Sequence, residues 1–130
     1  MVLDTSALLA ILFKEPEAER IAQAIAADPR RLASAFTVLE SGIVVEARKG
    51  ESGGRELDIL MHRMGLECVP LTASQAEVAR DAWRRYGKGR HAADLNIGDC
   101  CAYALSRISG ERLLFKGGDF TRTDVAAVTY

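Results

Sequence analysis

Apolar runs too short to be helices recur along this chain with stretches of helical spacing between them, and that alternation limits the fold more than any other feature. The runs Met1–Leu3, Glu67–Leu71 and Arg112–Phe115 read as buried or nearly buried strands. The tail Val125–Tyr130 reads as a fourth, and Leu32–Ala35, after the turn signal DPRR, as a further one. Helical spacing occupies Ser6–Phe13, Pro16–Ala27, Thr37–Lys49, Gly54–Met64, Ala73–Tyr86 and Gly98–Ser109. The punctuation agrees: Pro16 suits a first helical turn, Ser74 or Thr72 can cap the following helix, and Gly50 and Gly110 stand where helices stop. Strands alternating with helices imply crossover connections, right-handed between parallel strands, so the expected fold is a parallel α/β sandwich. In open sheets of that kind a site forms beyond the carboxyl ends of the strands.

A length of 130 residues with 48% hydrophobic and 27% charged side chains is that of one globular domain, 1–130, able to bury about two-thirds of its unfolded surface. A net charge of −1 excludes a uniformly basic coat and leaves local clusters to be examined. Cys68, Cys100 and Cys101 are odd in number, two are adjacent, and none has zinc-site spacing, which fits a reducing cytoplasm. Asp4 interrupts the first apolar run, no signal peptide is expected, and no apolar stretch approaches membrane-spanning length.

The chemistry-bearing residues are acids. Asp4 closes the first strand in VLDTSALLAIL, and Asp119 follows the strand RLLF, so both belong at one sheet edge. Asp99 opens the helix GDCCAYALSRI after the loop LNIGD. Taken singly, Asp4 and Asp99 read equally as helix N-caps. Glu40, in FTVLESGIVVEARKG, shares a helical face with Phe36, Ile43, Val44 and Ala47, which makes it an inward carboxylate in need of a partner. Glu46, turned about 120° away, reads as solvent-facing. If Asp4, Glu40, Asp99 and Asp119 converge, each close like-charge pair costs on the order of 4 kcal/mol at an effective dielectric of about 20, and the cluster demands a cation. Oxygen ligands without His or Cys select Mg²⁺ or Mn²⁺, ions suited to phosphodiester hydrolysis. No Ser-His-Asp order, HExxH or P-loop occurs, and the two histidines, His62 and His91, form no His-based site; His62 reads as a surface residue.

The segments VLDTSALLAIL, TVLESGIVVEAR, YGKGRHAADLNIGDCCAYALS and LLFKGGDFTRTDV together resemble those of PIN-domain proteins, and specifically of the VapC toxins of bacterial type II toxin–antitoxin systems, nearly end to end. That resemblance implies a three-layer sandwich with a small parallel sheet of four to five strands flanked by helices. It also implies a Mg²⁺- or Mn²⁺-dependent endoribonuclease, restraint by a VapB-type antitoxin, and a homodimer. The family's metal-binding acids fall on Asp4, Glu40, Asp99 and Asp119, its small hydroxyl residue on Ser6, and Asn96 is placed to orient the acidic loop. The chain departs from the family at Gly117, where many members carry a further acid, so one tightly held ion is expected, with a second entering alongside the RNA. Asp94 and Asp124 stay open between assisting the site and merely capping or meeting solvent.

The densest basic stretch, RRYGKGRH, supplies Arg84, Arg85, Lys88, Arg90 and His91, which could guide an RNA backbone or simply complement a helix end. Trp83 and Tyr86 on the same helix read as packing, and the face Ile21, Ala24, Ile25 suits a dimer or an antitoxin. Two rival classes remain to be set aside. Phosphotransfer on an aspartate, with Lys116 as charge partner, lacks an acceptor Asp in ECVPLT and the second Asp of a DxD loop. A non-catalytic PIN-like module binding RNA or protein is separated from an enzyme by the acid quartet.

Overall fold

Val2 and Leu3 form β1, and neither exposes any surface, as only a strand flanked on both edges and covered on both faces can be. The computed structural model describes residues 1–130. β1 is followed by α1 (Thr5–Leu12), α2 (Ala18–Ala27), β2 (Leu32–Ser34), α3 (Ala35–Arg63), β3 (Glu67–Val69), α4 (Ala73–Tyr86), α5 (Ile97–Ser109), β4 (Leu113–Leu114) and a 3₁₀ turn at Asp119–Arg122. The sheet order is β3-β2-β1-β4 with every pairing parallel, and Val2 lies opposite both Leu32 and Leu113.

Alternation along these short strands divides the core between two faces. Val2, Leu32 and Leu113 join Ala79 and Ala82 of α4 and Cys100, Tyr103 and Leu105 of α5. Leu3 and Leu114 point the other way, onto Ala7, Leu8 and Ala10 of α1 and Ile21 and Ile25 of α2. The result is the expected three-layer sandwich with four strands. α5 is buried continuously from Gly98 to Ser106, which its small Gly, Ala, Cys and Ser side chains permit. No helix is long and apolar enough to cross a membrane.

The helix signals hold at most positions. Thr72 accepts from the Gln75 amide as the cap of α4, and Gly110 ends α5 in the left-handed conformation at φ 73°. The two helices expected on either side of Gly50 form one element, α3, broken at Gly50 itself, where φ 68° and ψ −167° are open only to glycine. Beyond the break the chain packs back on itself, so that a Cβ on Gly53 would come within 2.5 Å of the Lys49 Cβ.

Four expectations need correction. The face Ile21, Ala24, Ile25 is not free for a dimer or an antitoxin, because Ile21 and Ile25 are buried in the core against α1 and the sheet. The run Glu67–Leu71 is not a buried strand: β3 stops at Val69, before Pro70, which has no N–H for a ladder, and its exposed Glu67 and Cys68 mark it as the sheet's edge. The tail Val125–Tyr130 is no strand but a single bridge, Leu113 to Ala127, because the two residues of β4 can support nothing longer. Pro16 precedes α2 rather than opening it, since the reversal at Lys14 (φ 53°) delays the helix to Ala18.

Gly50→Ala is expected to cost about 1–3 kcal/mol, read as a lower urea midpoint with an unchanged slope. Gly42→Ala, in an ordinary turn of α3 with nothing within 4 Å of the added Cβ, should instead be neutral or stabilising.

Candidate active site

β1 ends in Asp4 because the backbone turns there from strand to helix, and Asp4 (φ −84°, ψ 159°) is the N-cap of α1. Its Oδ2 accepts from the Ser6 amide at 2.9 Å and from the Ser6 hydroxyl at 2.6 Å. The same hydroxyl accepts from the Lys116 amide at 2.9 Å, so Ser6 ties the end of β1 to the exit of β4. Asp4 is 4% exposed, and its carboxyl is pushed above the ordinary range by burial, against the pull of the Ser6 and Thr5 bonds and with a further push from Asp119.

Asp99 is buried in the first turn of α5 and shares a capping box with Asn96. The Asn96 amide donates to Asp99 Oδ2 and the Asp99 amide to Asn96 Oδ1, both at 2.9 Å. Burial raises the Asp99 carboxyl to about 7; the Asn96 amide opposes the rise, and Asp4, Asp119 and Glu40 add to it. Glu40, half-buried on α3, is raised by burial and then by Asp4, while the Thr5 hydroxyl holds it down. Its carboxylate rests on the start of α5, where a Cβ on Gly98 would collide with Glu40 Oε2.

Glu40 is therefore drawn in for a different reason from the one its periodicity suggests. The buried stripe of α3 is Thr37, Ser41 and Val45, whereas Ile43 is 61% exposed and Ala47 is also exposed. Glu40 lies beside that stripe and faces Gly98 and Thr5. Asp119 starts the 3₁₀ turn after β4 and is exposed, while its neighbour Phe120 is buried against Phe115 with ring centroids 4.9 Å apart.

Acids from β1, α3, α5 and the loop after β4 thus act on one another at the carboxyl edge of the sheet, although no three acidic, His or Cys side chains form a ready-made metal cage. The donor set is all oxygen: His62 is exposed on α3, and His91 Nδ1 accepts from the Ala93 amide. Carboxylates that raise one another in this way suit a hard divalent cation, which would relieve their repulsion.

The basic segment at the end of α4 is partly engaged. Arg84 meets Asp81 loosely at 3.9 Å, Arg90 lies over the Trp83 ring at 4.7 Å, and Arg85 binds Asp124 and the Tyr86 hydroxyl. Lys88 lines a cavity of about 540 Å³ together with Trp83, Leu95, Ile97 and Cys101. Tyr86 packs against Tyr103 and His91, but Trp83 stays 42% exposed. Asp94, at φ 55°, accepts from the Gly89 amide within the loop. Sequence reasoning missed Tyr103, which donates to Asp124 at 2.6 Å; its spacing of four residues from Asp99 on α5 was the available signal.

The PIN domain family model matches residues 1–126 of the chain. A ribonuclease VapC of Mycolicibacterium smegmatis is 58% identical over 128 residues, covering 98% of this chain and 99% of its own. VapC ribonuclease Mb0640 of Mycobacterium bovis is 56% identical over 128 residues, with 98% of each chain covered. Among solved structures, the Mycobacterium tuberculosis VapC20 toxin, which cleaves the sarcin–ricin loop, superposes with a TM-score of 0.79 at 18% identity over 98% of this chain and 97% of its own. VapBC2 of Rickettsia felis, bound to a DNA fragment from its promoter, gives 0.70 at 17% identity over 95% of this chain and 92% of its own.

The raised Asp99 carboxyl carries a pH signature in metal-free protein. In the unfolded chain an Asp loses its proton near pH 4, in the folded protein only near 7, so the stability it contributes is full below pH 4 and is lost as pH rises to about 7. Chemical denaturation of wild type and Asp99→Asn in EDTA from pH 4 to 8 should show the variant gaining on wild type across that window. A constant difference between the two would show that Asp99 titrates normally.

Proposed function

Since the chain belongs to the PIN-domain family and, within it, to the VapC ribonucleases, we propose that Asp4, Glu40, Asp99 and Asp119 together hold a Mg²⁺ or Mn²⁺ ion for RNA phosphodiester hydrolysis. The observation that carries this reading is the convergence of Asp4, Glu40 and Asp99, each raised by burial first and by a neighbouring acid second, with Asp99 reaching about 7. A bound ion of this kind supplies an activated water and neutralises charge on the leaving oxygen. The chain's own groups prepare the place: Ser6 aims Asp4, Asn96 fixes the rotamer of Asp99, and the bare backbone of Gly98 admits Glu40. Asp119, alone among the four in being exposed, enters from the solvent side.

RNA is held by phosphate contacts along the end of α4. Arg84, whose 3.9 Å pair with Asp81 is exposed and weak, and Lys88 and Arg90 are the available cations, whereas Arg85 is held by Asp124. The protein partner is a VapB-type antitoxin, as in the toxin–antitoxin complexes among its structural neighbours. A second copy of the chain is the other partner, and Leu39, Ile43 and Ile97, each at least 60% exposed, supply apolar surface for the pairing. The protein acts in the cytoplasm, where thiols such as Cys68 stay reduced.

Thermal melts in EDTA, Mg²⁺ and Mn²⁺ test the site without knowledge of the RNA target. An ion at one hundred times its dissociation constant adds about 2.7 kcal/mol, a shift of several degrees. Wild type should gain that shift and Asp99→Asn should lose it, together with divalent-dependent cleavage of a mixed RNA pool. A wild-type midpoint indifferent to both ions, with cleavage persisting in EDTA, would refute the metal assignment.

A further inference from the structure

Asp119 is the one acid of the four that neither lies on nor caps an α-helix: it opens the short 3₁₀ turn Asp119–Arg122. It sits on a loop that leaves β4 at Phe115 and returns when Leu113 bonds Ala126 and Val128. Gly117, at φ 99°, offers no carboxylate beside Asp119, and the loop's other acid, Asp124, is engaged by Tyr103 and Arg85, so the loop's contribution to the site depends on where Asp119 is held.

Two features fix the loop. At its start Phe120 is buried against Phe115. At its end both oxygens of Asp124 are engaged: Oδ1 accepts from the Tyr103 hydroxyl at 2.6 Å and Oδ2 from the Arg85 guanidinium at 3.1 Å. Between them the chain is bonded to itself, with the Thr123 amide and hydroxyl both donating to the Phe120 carbonyl, at 3.1 and 2.8 Å, and the Thr121 amide donating to the Gly118 carbonyl at 3.1 Å. Asp119 and Asp124 thus stand at the two ends of one short, internally tied segment.

The partner of Asp124 gives the latch its meaning. Tyr103 is 2% exposed and lies four residues after Asp99 on α5, hence one turn along the same helical face. The helix that presents Asp99 thus also grips the loop that presents Asp119. Arg85 closes the contact from the solvent side, donating to Asp124 at 3.1 Å and to the Tyr103 hydroxyl at 3.5 Å, while the buried end of the latch is the Tyr103 hydroxyl, whose ring is packed against Tyr86.

We propose that Tyr103 and Asp124 are positioning residues of the ribonuclease site: their hydrogen bond sets Asp119 at its working distance from Asp99 for a divalent cation. The inference rests on the metal reading of the four acids given above. Outer partners that orient ligands typically govern metal affinity by ten- to a hundredfold, which sets the scale.

The test uses Mn²⁺ alone as the probe, titrated against the thermal midpoint of the full chain. Tyr103→Phe removes the donor without opening a cavity, and Asp124→Ala removes the acceptor at the surface. Each should raise the half-saturating Mn²⁺ concentration about tenfold while moving the EDTA midpoint little. Asp124→Asn, which keeps an acceptor oxygen for Tyr103 but not the charge for Arg85, should recover most of the affinity. Adding Asp119→Asn to Tyr103→Phe should cost less than the two single losses combined. If Tyr103→Phe and Asp124→Ala lower the EDTA midpoint but leave Mn²⁺ half-saturation at the wild-type value, the latch serves stability only and the proposal fails. If wild type itself ignores Mn²⁺, the metal reading has failed and the latch proposal falls with it.

Discussion

The pairing of β1 with strands on both sides governs where every functional residue stands. β1 has two residues, both inaccessible, and their side chains point to opposite faces, so a slip of one position would exchange Val2 and Leu3 between two cores of different shape. Register is thereby fixed, and with it the point at which the strand ends. Asp4 is that point, and the Asp4 amide donates to the Leu114 carbonyl at 2.9 Å, which brings the exit of β4, and so the loop of Asp119, to the same edge. The hydroxyl of Ser6 repeats the tie one step further on.

Legibility in the sequence followed the range of the interaction. Capping and stopping are local, and Thr72, Gly50 and Gly110 act as their residue types demand. Asp4 and Asp99 were visible for the same reason, each beside its own helix start. Glu40 is turned inward as its sequence suggested, but not for the reason its periodicity gave: its carboxylate lies against Gly98, far along the chain, and not on an apolar stripe of its own helix. The Tyr103–Asp124 and Arg85–Asp124 contacts join residues 21 and 39 positions apart, so no periodicity could announce them. The strand expected at Glu67–Leu71 exists but is cut short before Pro70, and the tail Val125–Tyr130 pairs only at Ala127, because apolar composition says nothing about whether a neighbouring strand is long enough to pair with.

Capping accounts for two of the four acids and only for their position. An N-cap needs one acceptor, which Asp4 gives through Oδ2 to Ser6, and a helix N-terminus favours an ionised carboxylate there. At Asp99 burial and its acidic neighbours override that preference and hold the proton on until about 7. Glu40 and Asp119 cap nothing, since Ser34 caps α3 and Asp119 follows Gly118 at the start of its turn. Yet both add to the rise at Asp99 and so make the metal-free fold less favourable as pH increases. Apolar or amide side chains at those two positions would relieve that repulsion, so the fold by itself gives no reason for acids there, and the divalent-cation site proposed above would supply one.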